Sequence, residues 1–77
     1  MDPLAQMIQD KISSGVLPRE VDFATTWYGR GTGRRCVACE RPIPVFDIEV
    51  EGDLDDGGVL YFHGGCYRTW DTERRRS

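Results

Sequence analysis

Residues 36–66 read CVACERPIPVFDIEVEGDLDDGGVLYFHGGC. The stretch opens on a Cys-x-x-Cys pair, Cys36 and Cys39, and closes on a His-x-x-Cys pair, His63 and Cys66, with 23 residues between the pairs. His63 is the only histidine of the chain, and all three cysteines lie here. Two chelating pairs joined by a span long enough for a hairpin form a zinc-site arrangement. A two-residue gap lets a tight turn aim both donors inward, and tetrahedral zinc holds sulfur at about 2.3 Å and nitrogen at about 2.0–2.1 Å. Cys36, Cys39, His63 and Cys66 are therefore the expected ligands of one structural Zn2+. Four protein ligands leave no open coordination position, so no enzyme is expected. A thioredoxin-like redox pair at 36 and 39 would want a strand–helix setting, whereas a short turn and a hairpin follow here.

The residues between the pairs support the same reading. VFDIEVE alternates, with Phe46, Ile48 and Val50 on one face and Asp47, Glu49 and Glu51 on the other, which predicts a half-buried strand. GDLDDGG is turn material, and VLYFH is a second strand, so the pair reads as an antiparallel hairpin. CYRTWDTERRR then reads as a helix, with Cys66 and Trp70 one turn apart. Its dipole favours a Cys66 thiolate at the N-terminus and suits Arg74, Arg75 and Arg76 at the other end.

Upstream, Asp2 and Pro3 look like an N-cap and first-turn proline. Leu4, Met7, Ile8 and Ile12 make one apolar stripe, and Gly15 and Pro18 supply the stop, so a helix is expected over about 3–14. The stripe would pack on the domain's own core or, alternatively, form the seam of a homodimer. Residues 16–35 are weakly patterned and read as a linker. VDFATTWYG has the composition of a short strand, and GRGTGRR reads as a flexible connector, because no Gly-Lys-Ser/Thr follows its glycines. The organisation expected is an N-terminal helix (1–15), a linker (16–35) and a zinc-binding domain (36–77).

Seventy-seven residues with 39% apolar content bury only a small core, and domains of this size commonly need a staple. Three cysteines cannot all pair as disulfides, no signal peptide is visible, and no apolar run approaches the roughly 18 residues of a membrane span. A cytoplasmic, reducing setting is expected, where a cysteine cluster reads as a metal site. The net charge of −3 is uneven: residues 47–56 carry −6, while 19–41 and 68–76 each carry +2. Arg34 and Arg35, just before the first ligand, are positioned to offset the charge of a three-thiolate zinc site. Arg30, Arg34, Arg35, Arg41, Arg74, Arg75 and Arg76 are candidate contacts to a protein partner or to nucleic acid, with Trp27 and Tyr28 available for stacking. The acidity of the hairpin argues against its lying along DNA phosphates.

Knuckle, hairpin, then a helix whose first turn carries the last ligand resembles a treble-clef zinc finger. The order of ligands resembles the first zinc module of LIM domains. It is also similar to the zinc fingers of poly(ADP-ribose) polymerases, to which Cys36, Cys39, Ile43, Phe62, His63, Cys66 and Tyr67 correspond. The resemblance spans about residues 34–72 and implies a small α+β, zinc-stabilised domain. The pattern LPRE, then W, GTGR and the two ligand pairs also looks like small stand-alone bacterial proteins of unassigned function, which brings no activity with it. The function expected is a protein-interaction or regulatory module, with nucleic-acid binding as the alternative.

Overall fold

The computed structural model describes residues 2–76. Helix α1 spans Pro3–Ser13. The Asp2 carboxylate caps it, accepting from the Ala5 amide at 3.2 Å, a contact of about 1 kcal/mol in such caps. Gly15, at φ 84°, ends the helix in the left-handed region that a residue without Cβ enters freely. The apolar stripe faces inward: Ala5, Ile8 and Ile12 are buried, and Leu4 and Met7 pack at the margin of the core.

Strands β1 (Thr25–Arg30), β2 (Ile48–Asp53) and β3 (Val59–His63) form one antiparallel sheet in the order β1-β2-β3. The hairpin expected between the ligand pairs is β2–β3. Its turn closes with the Leu54 amide on the Gly58 carbonyl at 2.8 Å. In register, Tyr28 lies beside Val50 and Val50 beside Phe62, so these three share a face. Helix α2 (Gly64–Arg74) covers part of that face. Trp70, fully buried, stacks on Phe62 at 5.3 Å between ring centroids, and Tyr67 meets Phe62 edge-on at 5.6 Å. Fully burying such side chains stabilises the fold by about 1.5–3 kcal/mol each. The Trp70 indole N–H donates to the Pro18 carbonyl at 2.8 Å.

Helices α1 and α2 pack together, and the Gln9 amide donates to both the Glu73 carbonyl and its Oε1 at 3.0 Å. Ile8, Ile12 and Leu17 share one buried cluster with Cys36, Ile43, Phe62 and Trp70. The N-terminal helix and the metal-binding segment thus have a common core.

Two expectations change. The short strand expected in VDFATTWYG is β1, paired with β2 along its whole length, but the glycine-arginine loop, expected as a flexible connector, is tied down. The Gly31 amide donates to Asp47, Gly33 to Ile43, and Ile43 back to Arg34, at 2.8–2.9 Å. A Cβ on Gly31 would run into the carbonyls of Ile43 and Pro44. The faces of β2 also differ from the alternation read in sequence. Phe46 lies in a turn closed by Asp47 on Pro44, and it is 85% exposed. Ile48 is exposed too, whereas Val50 and Glu49 are buried. The layer above the sheet covers Val50 and Gly52 and meets Ile48 only at its margin, through Gly64, so alternation identifies shared faces but not the covered portion.

Candidate metal centre

The first pair of donors sits on a tight knuckle. The Arg35–Pro42 bridge closes its base, the Cys36 amide donates to Arg41 at 2.9 Å, and the Glu40 amide donates to Cys36 at 2.9 Å. Glu40 follows the second cysteine at φ 64°, a conformation costing an L-residue about 1–2 kcal/mol. The knuckle docks on β3 through the Val37 amide and the Tyr61 carbonyl at 2.8 Å. The second pair straddles the junction of β3 and α2. His63 ends the strand, and Cys66 lies in the first turn of the helix.

One donor atom from each of Cys36, Cys39, His63 and Cys66 lies within 4.8 Å of every other. Metal bonds of about 2.0–2.3 Å imply tetrahedral edges of roughly 3.5–3.8 Å, so small side-chain adjustments close this group around a single ion. Cys36 and Cys66 are buried, and Cys39 and His63 are half-buried. The His63 ring fixes its own chemistry. Nε2 lies 3.1 Å from the Pro42 carbonyl, which can only accept, so Nε2 carries the proton. Nδ1 then keeps its lone pair, and it faces the cluster, 3.3 Å from Cys39 Sγ. Orientation of a ligating imidazole by a carbonyl on its other nitrogen is the usual support for a metal-bound histidine.

The thiols are also predisposed. A hydrogen bond from Cys66 lowers the Cys36 thiol to about 4, against the opposing effect of burial, with backbone N–H groups of Cys39 and His63 assisting. Cys66 is pushed up, first by that same hydrogen bond and then by burial. Thiolates are the metal-binding form of cysteine, so a divalent cation bound here would release the thiol protons. The donor set, three soft sulfurs and an imidazole, fits a structural metal of the zinc type.

Positive charge reaches the knuckle from an unexpected place. Lys11, on α1, donates through Nζ to the Ala38 carbonyl inside the Cys36–Cys39 turn and pairs with Glu40 at 2.9 Å. Nothing in the local sequence marks this lysine, because its contact spans 27 residues. Arg35 binds the Glu40 carbonyl at 2.7 Å. Arg34 turns away from the ligands. Its guanidinium lies 4.6 Å from the Tyr61 ring centroid and 3.6 Å from the buried Glu49 carboxylate. Glu49 is further held by the Thr32 hydroxyl at 2.8 Å.

The other candidate contact residues divide. Arg74 and Arg75 pair with Asp71 at 2.9 and 3.2 Å, Arg76 pairs with Glu73 at 2.9 Å, and Arg74 also covers the Trp70 ring. Arg30 and Arg41 are exposed, with no side-chain partner among the described residues. The arginines are thus mostly engaged within the chain.

Comparison with known protein families, with curated proteins and with solved structures finds no match to this chain. Among the described residues, fold and site define a small α+β protein with two helices, a three-stranded antiparallel sheet and a Cys3His group consistent with a zinc finger. No helix among the described residues is long and apolar enough to cross a membrane.

Proposed function

We propose that the chain is a zinc-stabilised interaction module. Cys36, Cys39, His63 and Cys66 hold one Zn2+ in a treble-clef-like arrangement, like that of a single LIM-type module, in a reducing, cytoplasmic setting. The ion is structural: four protein donors complete its coordination, and the metal joins the knuckle to the β3–α2 junction. The observation that carries this reading is the convergence of all four donors, with the His63 proton directed away from the cluster.

A docking role for the remaining surface is supported by its exposed apolar side chains. Tyr28, Val45, Phe46 and Ile48 lie open on a chain otherwise able to bury a core. The helical stripe of Leu4, Met7, Ile8 and Ile12 is taken up by the chain's own core, so a homodimer seam there has little apolar surface left to use. Ion pairing of Arg34 and Arg74–Arg76 weighs against a phosphate-binding stripe, since each arginine would exchange a carboxylate for a phosphate.

Two measurements test the reading. Metal analysis of protein purified without added metal should give one zinc per chain, and a strong chelator should abolish the cooperative unfolding transition. Affinity capture from native lysate should recover a protein partner, and gel shifts at low salt should show no retained DNA or RNA. Absence of zinc would remove the metal site, and absence of a partner would sink the interaction role.

A further inference from the structure

The sheet is open along the outer side of β1. The outer side of β3 is partly covered by the knuckle, through Val37 on Tyr61 and the His63 amide on Cys36 Sγ at 3.4 Å. β1 has no such cover. The Gly31 amide bonds to Asp47, which sets the phase of the ladder: Thr25, Trp27 and Gly29 address β2. Thr26, Tyr28 and Arg30 therefore turn their N–H and C=O groups outward, and none of these groups is paired within the described residues. Native edges are commonly blunted by proline or charged side chains; β1 has no proline, and its one charge is Arg30 at the end of the strand.

An apolar patch borders that edge. Arg30 and Ile48 are cross-strand partners, as are Tyr28 and Val50, so Tyr28, Arg30 and Ile48 share a face. Phe46 extends the patch around the turn. A second shallow groove continues from Phe46 and Ile48 past Gly64 and Gly65 to Arg68. Ten basic side chains are present, and seven are engaged by carboxylates or carbonyls. The three without a partner among the described residues are Arg30, Arg41 and Arg68. Two of those three flank this patch, with Asp47 the one carboxylate lining it.

Resting on the interaction-module reading, we propose that β1 accepts an extended acidic–apolar segment of another protein as a fourth strand. Its backbone pairs with Thr26, Tyr28 and Arg30, and on the face that carries Tyr28 it sets apolar side chains beside Tyr28 and carboxylates beside Arg30, with Arg68 facing them across the groove over Phe46 and Ile48. Strand addition of this kind takes affinity from main-chain bonds and specificity from alternate side chains. A peptide fits better than nucleic acid, because only another peptide backbone satisfies the outward row of donors and acceptors. A second copy of this chain fits less well, since its β1 brings a further Arg30 and no carboxylate.

The test uses the zinc-loaded, 15N-labelled full chain and two capped octapeptides with threonine at every second position; the four remaining side chains, which share a face, are two valines then two glutamates in one (the Val–Glu peptide) and two valines then two lysines in the other (the Val–Lys peptide). The Val–Glu peptide should shift the amide signals of Thr26, Tyr28 and Arg30 and bind at least about tenfold more tightly than the Val–Lys peptide. Arg30→Glu combined with Arg68→Glu should reverse that preference while leaving zinc content and the far-ultraviolet spectrum unchanged. Equal affinities, no binding, shifts confined to another surface, tighter binding of a deoxythymidine decamer, or a β1-mediated dimer by sedimentation would each overturn the proposal. If a captured lysate partner is kept by the charge-reversed variant, the surface is wrong and the module reading stands. If no partner is captured by either form, that reading fails as well.

Discussion

Lys11 of α1 donates to the Ala38 carbonyl, within the turn that presents Cys36 and Cys39. The side chain is 84% shielded from water, so its charge acts in a partly desolvated setting, close to a site that would carry a net negative charge with three thiolates around a divalent ion. The first helix thereby stabilises the metal knuckle as well as the core.

Lys11→Met keeps most of the aliphatic packing and removes the charged hydrogen bond. It should cost about 1.5–3 kcal/mol in the metal-loaded protein, the range for hydrogen bonds to charged groups. Zinc affinity measured by competition with a chromophoric chelator should fall about tenfold or more, whereas Glu40→Gln, which spares the Ala38 contact, should change it little.

Cys39→Ser removes one sulfur from the set of four. Structural zinc contributes on the order of 10–16 kcal/mol in small fingers at neutral pH. The variant should lose bound zinc and lose amide dispersion over residues 36–72 in heteronuclear NMR spectra. Arg75→Ala serves as the control. Its guanidinium is 66% exposed in a pair with Asp71, a class worth about 0–1 kcal/mol, so folding should survive.

The His63 tautomer can be read directly. Long-range 1H–15N correlation on the zinc-loaded chain should show Nε2 protonated and in slow exchange, held by the Pro42 carbonyl, and Nδ1 with the shift of a metal-bound nitrogen. A protonated Nδ1 would contradict the assigned coordination.

Gly52 lies directly beneath the Phe23 ring. A Cβ there would come within 2.6–2.7 Å of ring carbons, and the ring cannot rise freely because it packs on Trp70 at 5.5 Å. Gly52→Ala should destabilise the fold by about 1–3 kcal/mol in chemical denaturation. Combined with Phe23→Leu, the loss should be less than the sum of the two single variants, since the clash is between these two residues.

The local signals in the sequence were the informative ones. The Asp2–Pro3 start, the Ile8–Ile12 stripe and the Gly15 stop define α1 to within a residue, because caps and helical periodicity act over one turn. The four donors were legible for a similar reason, since each chelating pair is held by a single turn. The three-residue step from His63 to Cys66 crosses from strand to helix without disturbing that spacing. What escaped was long-range. Strand β1 exists because Tyr28 and Val50 pair across more than twenty residues, and nothing in VDFATTWYG names its partner. Glu49 looked like a solvent-side residue of an alternating strand. Thr32 and Arg34 fold over it only because the glycine loop returns along residues 43–47. Lys11 belongs to the same class of contact, invisible until α1 is docked.

The two tryptophans stand in opposite surroundings. Trp70 has no exposed surface, and its indole is fixed to Pro18 above the sheet, while Trp27 on the open strand is 59% exposed. Their emission should separate in colour, blue for the enclosed ring and red for the hydrated one. A quencher dissolved in the buffer would silence Trp27 first. The unlabelled chain thus carries its own optical gauge, in which one fluorophore follows cohesion of the interior and the other follows whatever settles against the outer strand.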